Sequence, residues 1–170
     1  MIEKSTIETI IAYFFIHPTE EIHLRELSRR LQLSMPTILS FVKILEKKGL
    51  ILVHKGIALT TVKANVENKK FVRAKRVYNL QSIYDSGIVD VLSQSRPYAI
   101  ICFGSYSSGE DTERSDIDLA VVKGKEQKLV VEKYEKILQR KISLHFISLE
   151  KISREFKANL INGIILEGAV

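Results

Sequence analysis

The sequence predicts an α+β protein built from two modules that a helical segment joins. The first third of the chain places apolar residues at helical spacing three times in succession and then alternates them as a β-hairpin does. After residue 97 the pattern changes, because short apolar runs typical of strands alternate with helical segments. A chain of 170 residues is long enough for one compact unit or two small domains.

The first module is predicted to contain three helices followed by a hairpin. Ser34 is placed to cap the third helix, Pro36 lies in its first turn, and Gly49 stops it. A short tip at residues 54–56 joins the two strands. The predicted helices span residues 6–16, 23–31 and 35–48, and the predicted strands span residues 50–53 and 57–62.

A long helical segment is predicted between the modules, over residues 66–92 with a break at Gly87. Polar residues and Pro97 follow it, and a proline after polar residues marks a boundary because it favours extended backbone before it. The predicted division of the chain is therefore a first domain at residues 1–65, a helical linker at 66–95 and a second domain at 96–170.

The second module is predicted to alternate strands and helices around a small mixed sheet. Its first strand, residues 98–103, breaks at Gly104 and Ser105, where a short helix begins that Gly109 ends. The remaining elements are predicted as a strand up to residue 123, a helix at 126–140, a strand at 142–147, a helix at 149–157 and a terminal segment at 161–166.

Two carboxylates, Asp116 and Asp118, stand one residue apart at the start of the second strand of this module. Side chains at i and i+2 of a strand share a face, so both carboxylates are expected to point one way while Ile117 and Leu119 face the core. Two hard oxygen ligands on one face suit Mg²⁺, which takes one or two carboxylates together with substrate phosphates.

The turn at Gly104 and Ser105 has the chemistry of an anion site. Gly104 lacks a Cβ, so a ligand can approach its backbone closely, and a turn that opens into a helix presents N–H groups to an anion. Ser105 adds a hydroxyl donor. The acids of the following loop, Glu110, Asp111 and Glu113, are candidates to supply a further acid, but their clustering is more typical of an ordinary solvated turn.

These residues resemble the signature of the DNA polymerase beta-type nucleotidyltransferase superfamily, in its minimal nucleotidyltransferase branch. The resemblance rests on Gly104, Ser105, Gly109 and the run at residues 115–118, and it covers residues 97–170. It implies that the two glycines and the serine bind the triphosphate of a nucleotide, expected to be ATP, and that the two aspartates are catalytic and bind Mg²⁺. The reaction it implies is transfer of a nucleotidyl group to a hydroxyl, with metal ions stabilising the attacking and leaving oxygens.

The sequence departs from that superfamily at one position. The resemblance implies a third carboxylate on a following strand, but residues 142–147 offer Ser143 and His145 on their polar face. An imidazole accepts a proton near neutral pH or binds a metal, so His145 is a candidate catalytic residue. The alternative is that His145 is a half-buried strand residue beside a degenerate site.

The first module resembles a winged helix-turn-helix domain of the kind common in prokaryotic transcription regulators, over residues 2–63. The resemblance implies that the third helix enters the major groove of double-stranded DNA and that the wing tip lies along the phosphates. Dimerisation or protein docking is the alternative use of such a module. The DNA-binding residues expected from the resemblance are Ser34, Thr37, Ser40 and Lys43 on the helix and Lys55 on the wing.

The net charge of +6 is spread unevenly along the chain. Residues 1–66 carry +3, residues 67–95 carry +2 and residues 96–170 carry +1. A basic face can be a phosphate footprint, and the expected DNA contact is then sensitive to salt. A solvated helix face explains the same charges.

Composition excludes several classes of protein. The single cysteine, Cys102, rules out an intrachain disulfide and fits a cytoplasmic protein, and its apolar surroundings favour a small buried hydrophobe over a nucleophile. The four histidines lack the spacing of a zinc site. No apolar stretch is long enough to span a membrane, and the amino-terminal residues lack a signal-peptide pattern.

The function expected from the two resemblances together is a Mg²⁺-dependent nucleotidyltransferase with a DNA-binding module. The alternative is a transcription regulator or antitoxin whose nucleotidyltransferase domain is catalytically degenerate. Members of the minimal branch often act with a small helical partner in toxin–antitoxin pairs, so such a partner is also expected. A homodimer is the expected oligomer, because DNA-binding domains of this kind commonly work as dimers.

Overall fold

The computed structural model describes residues 5–57, 59–124 and 130–169. It contains helices and two sheets, so the α+β class is confirmed. The chain divides into two compact units, Met1–Lys75 and Arg76–Val170, and the division falls inside the predicted linker 66–95. Within the described ranges, no helix is long and apolar enough to cross a membrane.

The described residues of the first unit that precede Lys69 combine three helices with a three-stranded antiparallel sheet. In chain order these elements are α1 (Thr6–Ile16), β1 (Glu21–His23), α2 (Leu24–Leu31), α3 (Met35–Lys47), β2 (Ile51–Lys55) and β3 (Thr60–Ala64). The sheet has the order β1-β3-β2, so β3 is the central strand. Apolar side chains from all three helices and from the sheet are fully buried in this unit, among them Phe14, Leu27, Ile38 and Val62.

Helix α3 begins where its capping residue predicts. The Ser34 hydroxyl accepts a hydrogen bond from the Thr37 backbone N–H at 3.3 Å, and Pro36 lies in the first turn, where a missing N–H costs no helical bond. The helix ends at Lys47, one residue before the prediction, and Gly49 follows with a φ of 73°. That left-handed backbone is the reason a glycine stands there.

The prediction that the second helix begins at residue 23 is wrong, because that residue belongs to a short strand. Residues 21–23 form β1, because Ile22 pairs with Val62 of β3 and is buried. Helix α2 therefore begins at Leu24. Pairing with a strand far along the chain overrides the helical spacing of these residues.

The predicted wing tip at residues 54–56 is displaced toward the carboxyl end. The strands β2 and β3 remain paired as far as Lys55 and Thr60. The turn lies beyond that pair, where the Gly56 N–H donates to the Leu59 carbonyl at 2.9 Å. Lys55 is therefore the last residue of β2 and not part of the tip.

A four-stranded mixed sheet organises the second unit. The elements from the boundary onward are α4 (Lys69–Ser86, which begins in the first unit), α5 (Ile88–Ser93), β4 (Ala99–Phe103), α6 (Gly104–Ser108), β5 (Ile117–Val122), α7 (Glu132–Leu138), β6 (Ile142–Ile147), α8 (Arg154–Ile161) and β7 (Ile164–Gly168). The sheet order is β6-β5-β4-β7, in which β5 and β6 are parallel and the other pairs are antiparallel. The predicted mixed sheet with flanking helices is confirmed.

The two faces of this sheet carry different sets of side chains. On one face, Cys102 of β4 and Leu119 of β5 are buried in an apolar cluster with α5 and α7, and we call it the helix-packed face. On the other face, Ile101 and Phe103 of β4 pack with Leu160 of α8, and we call it the α8 face. Alternation along each strand sends neighbouring residues to opposite faces.

The last elements of the chain differ from their predicted bounds. A helix is predicted at residues 149–157, but α8 begins at Arg154, because the Ser153 hydroxyl caps it by accepting the Phe156 N–H at 3.1 Å. The terminal segment predicted at residues 161–166 holds the end of α8 and the start of the strand β7 (Ile164–Gly168), which pairs with β4.

Helix α7 is shorter than the helix predicted at residues 126–140, since it spans Glu132–Leu138. Residues 126–129 of that prediction lie outside the described residues. Gln139 ends the helix in a left-handed conformation with a φ of 53°.

Candidate active site

The turn between β4 and α6 brings the backbone against a carboxylate. Gly104 has a φ of 72°, which L side chains rarely adopt. A Cβ at this position would lie 2.8 Å from Oδ2 of Asp118, closer than side-chain carbons pack. The turn thus requires glycine for two reasons, its backbone conformation and the space that Asp118 occupies.

The two aspartates lie where the strand β5 begins. Asp118 is the second residue of β5, is half-buried and pairs across the sheet with Phe103 of β4, while Asp116 precedes the strand and is exposed. Ile117 and Leu119 are fully buried. The predicted alternation is therefore found, with Asp118 on the α8 face of the sheet and its two neighbours in the core.

The strand β6 places its polar side chains beside the two aspartates. Its parallel pairing sets Ser143 opposite Asp118. The Ser143 hydroxyl donates to Oδ2 of Asp116 at 3.2 Å, and Nε2 of His145 lies 3.4 Å from Oδ1 of Asp118. The structure thus brings together four of the residues singled out from the sequence, and β6 supplies a hydroxyl and an imidazole but no acid.

Two aromatic rings flank the imidazole of His145. The ring centroid of Phe103 lies 5.4 Å from that of His145, and the centroid of Phe156 from α8 lies 5.6 Å from it. The two phenylalanine rings are 5.4 Å apart, so the three rings form one cluster. These contacts limit the orientations that the imidazole can adopt.

The remaining residues of the predicted nucleotide site lie on the short helix α6. Ser105 is half-buried in its first turn. Gly109 is buried and ends the helix with a φ of 81°, as predicted for its structural part. Binding of a nucleotide by Ser105 and Gly109 stays a prediction.

The two aspartates can bind a divalent cation whose remaining ligands come from the substrate. Within residues 5–57, 59–124 and 130–169, no three His, Cys, Asp or Glu side chains meet closely enough to hold a metal on their own. Asp116 and Asp118 nevertheless offer carboxylate oxygens at an accessible edge, and Mg²⁺ is often held by one or two carboxylates with phosphate oxygens. Gly104 is exposed and lies against Oδ2 of Asp118, so the turn and the carboxylate stand side by side.

A buried polar network beside helix α6 is not predicted from the sequence. The Asn79 side chain donates to the Tyr106 carbonyl at 2.9 Å and to Oδ1 of Asp111 at 2.7 Å, and the Arg140 guanidinium lies 3.6 Å from the other carboxylate oxygen. Asp111 is 2% exposed, so its interpretation as part of a solvated turn is wrong. Its partners lie about 30 residues away on either side, and no local pattern identifies them.

An apolar cavity of about 360 Å³ lies on the α8 face of the sheet, farther along the strands. Its walls come from β4, α8 and β7 and include Ile101, Leu160 and Ile165. Among the described residues of its lining, Lys157 is the one that carries a charge. A cavity of this composition suits an apolar group and does not suit a triphosphate.

The residues predicted to contact DNA lie on the surface of the first unit. Ser40 and Lys43 are exposed on α3, and Lys55 is exposed at the end of β2. The hydroxyls of Ser34 and Thr37 are 2.7 Å apart and take part in the cap of α3, so each is already engaged in the helix terminus. Their contact with DNA stays a prediction.

Two known proteins or families are similar to this chain. The crystal structure of MepR, a transcription regulator of the Staphylococcus aureus multidrug efflux pump MepA, aligns with a TM-score of 0.39 and 20% identity over 54% of this chain and 66% of that chain. Among proteins with curated descriptions, none matches the sequence.

Residues 87–168 match the family model described as "Polymerase beta, Nucleotidyltransferase". This range includes β4, α6, β5 and β6, and with them the glycine turn, both aspartates and His145. The match supports placing this segment of the chain in the nucleotidyltransferase superfamily.

Proposed function

We propose that the second unit is a Mg²⁺-dependent nucleotidyltransferase that moves a nucleotidyl group from a nucleoside triphosphate, in the first instance ATP, to a hydroxyl acceptor. The observation that carries the proposal is the meeting of Gly104, Asp118 and His145 at one end of the sheet, inside the segment that matches the nucleotidyltransferase family model. The contacts there join three elements that are distant in sequence, as an assembled site requires.

Each residue has a role that its position supports. Asp116 and Asp118 would hold the divalent cation, and Gly104 and Ser105 would bind the triphosphate beside it, while Gly109 sets the end of α6. When bound, the cation supplies charge stabilisation for the attacking and leaving oxygens of an in-line displacement. The protein residues then orient the triphosphate and hold it against the acceptor.

Calorimetric titration with Mg²⁺ and ATP tests the proposal without knowledge of the acceptor. We expect the wild-type protein to bind the nucleotide and Asp118→Ala to lose that binding. Asp90→Ala is the matched control, because Asp90 is an exposed aspartate of the same unit. Transfer of labelled nucleotide to protein or nucleic acid, abolished by Asp116→Ala, would extend the result to catalysis. Absence of binding to the wild-type protein would contradict an autonomous enzyme.

The second candidate function is DNA binding by the first unit, alone or beside a catalytically degenerate second unit. Its support is the three-helix unit with a β2–β3 hairpin and the exposed side chains on α3, of which Ser40 and Lys43 are free of the helix cap. In a winged helix of this topology α3 would enter the major groove and the hairpin would lie along the phosphates. Short hydroxyl side chains then give modest base readout.

Gel shifts on mixed-sequence duplex DNA at several salt concentrations test this second candidate. Removal of one phosphate contact by Lys43→Ala or Lys55→Ala should weaken binding and reduce the salt slope by about one. Lys136→Ala makes the same change of charge on an exposed position of α7 and should have no such effect. Equal losses in all three variants would indicate a general charge effect and contradict a contact made by α3 and the hairpin.

We also propose a homodimer and a small helical partner of the toxin–antitoxin kind. The support for the dimer is the use of paired half-sites by DNA-binding domains of this type, and the support for the partner is the resemblance of the second unit to the minimal branch. Sedimentation of the full chain, alone and after co-purification, tests both. A single monomeric species in both samples would contradict them.

A further inference from the structure

We propose that Asp118 and His145 form a mixed oxygen and nitrogen metal site that prefers a first-row transition ion, such as Mn²⁺ or Co²⁺, over Mg²⁺. The inference rests on the proposed function in that it concerns the metal of the same site. It departs from a pure carboxylate site because the strand β6 presents an imidazole where a third acid is expected.

The donor atoms of Asp118 and His145 lie close enough together to bind one ion. Nε2 of His145 and Oδ1 of Asp118 are 3.4 Å apart, longer than a strong hydrogen bond between such groups. Two ligands that each stand about 2.1 Å from one ion are roughly 3 Å apart when they occupy adjacent positions around it. A shift of a few tenths of an ångström therefore brings both atoms onto one cation.

The imidazole of His145 is packed against two aromatic rings. Phe103 and Phe156 pack beside the ring, with centroids at 5.4 and 5.6 Å, and these contacts restrict the orientations of the imidazole. The side chains of His145 and Asp118 are 35% and 33% exposed. The imidazole is thus restricted in orientation, and both donors remain accessible to an ion and a phosphate.

A nitrogen ligand changes which metal ion the site prefers. A neutral imidazole is a common ligand of transition ions, whereas Mg²⁺ selects oxygen ligands and gives up its water reluctantly. Ser143, the other polar residue of β6, donates to Asp116 and supplies no carboxylate in place of the imidazole. Among the described residues no three His, Cys, Asp or Glu side chains meet closely enough to hold a metal by themselves, so His145 is the nitrogen donor in a set that the carboxylates and substrate phosphates complete.

The test is a titration of the full chain with Mn²⁺, alone and with a non-hydrolysable ATP analogue, followed by electron paramagnetic resonance with Mg²⁺ as competitor. The measured quantity is the ratio of the Mn²⁺ affinity to the Mg²⁺ affinity. We expect this ratio to be about tenfold or more larger for the wild-type protein than for the free nucleotide analogue, which is the size of effect that changes in a ligand shell produce. Pulsed measurements should show coupling of the bound Mn²⁺ to a nitrogen nucleus.

Two substitutions at the same position sharpen the test. His145→Asp restores a carboxylate and should abolish the nitrogen coupling and shift the preference about tenfold toward Mg²⁺. His145→Gln keeps much of the side-chain size, removes the ring nitrogen and should lose Mn²⁺ affinity without gaining Mg²⁺ affinity. His54→Ala, at an exposed position of β2, is the control that should change neither quantity. Circular dichroism establishes that each variant is folded.

The outcomes separate this inference from the proposed function. Nucleotide binding that depends on Asp118 but shows equal preference for both ions and no nitrogen coupling overturns the inference and leaves the nucleotidyltransferase proposal standing. Failure of wild-type and His145→Asp proteins to bind either ion or the nucleotide overturns both.

Discussion

The two faces of the four-stranded sheet in the second unit use the same strands for different purposes. Cys102 and Leu119 lie on the helix-packed face and are almost fully buried. Phe103 follows Cys102 on β4, and Asp118 precedes Leu119 on β5. Both lie on the α8 face and belong to the candidate site. Because strand residues alternate, a substitution one position away should exchange an effect on stability for an effect on chemistry.

The largest expected contrast is between Leu119→Ala and Asp118→Ala. Leu119 has no exposed surface, so its truncation should lower the free energy of unfolding by about 2–5 kcal/mol. Asp118 is half-buried and should change the free energy of unfolding by less than about 1 kcal/mol while it removes nucleotide binding. Urea denaturation followed by circular dichroism measures the first quantity. A loss of stability in Asp118→Ala as large as that in Leu119→Ala would mean that the carboxylate serves the fold.

The second prediction concerns the polar network that supports helix α6. Asn79→Leu removes two buried hydrogen bonds, to the Tyr106 carbonyl and to Asp111, and should cost about 1–3 kcal/mol of unfolding free energy. Gln81→Leu is the matched control on the same helix, because Gln81 is exposed and its bond to Asp85 spans one helical turn. The control should change the free energy of unfolding by less than about 0.5 kcal/mol. Equal effects of the two substitutions would show that the network is not a stabilising feature.

The third prediction separates the two reasons for glycine at the turn before α6. Gly104→Ala and Gly87→Ala both force alanine into left-handed backbone, at φ values of 72° and 77°, and should each cost about 1–2 kcal/mol. A Cβ on Gly87 comes no closer than 4.0 Å to Asp90, whereas a Cβ on Gly104 meets Asp118 at 2.8 Å. Gly104→Ala should therefore also weaken binding of Mg²⁺ and ATP, and Gly87→Ala should not. Calorimetry with both variants measures the difference, and equal nucleotide affinity in the two would contradict close packing of Gly104 on the site.

The features that the sequence predicts well depend on residues close together in the chain. An apolar run at residues 117–122 and alternation at residues 142–147 predict the strands β5 and β6, and the observed register sets Ser143 beside the aspartates. The helix cap at Ser34 and the left-handed glycine at Gly109 likewise follow from local backbone rules. The part of the candidate site that lies on these strands could for this reason be predicted.

The features that the sequence does not predict depend on partners far away in the chain. The strand β1 exists because Ile22 pairs with Val62, and β7 is a strand because it pairs with β4. Asp111 stands among three acids within four positions, a pattern typical of solvated loops, yet Asn79 and Arg140 bring it into the interior. Phe156 reaches His145 only after α8 has folded over the sheet, so the ring cluster has no signature in sequence spacing.

The smallest expected effect is at Cys102, the helix-packed neighbour of Phe103. Burial, with a smaller contribution from the negative charge of Asp118, raises the pKa of this thiol to about 12. The folded protein should therefore resist thiol-directed alkylation at pH 8, and the same protein in denaturant should react fully, as a mass-spectrometric count of labels would show. Well below the ordinary thiol pKa of about 8.5, the thiol is neutral in folded and unfolded chains, so its titration does not change stability. As the pH rises from there toward 12, the unfolded chain ionises first, and this group lowers the free energy of unfolding. Rapid labelling of the folded protein at pH 8 would contradict the burial of Cys102, and with it the separation of the two faces of the sheet.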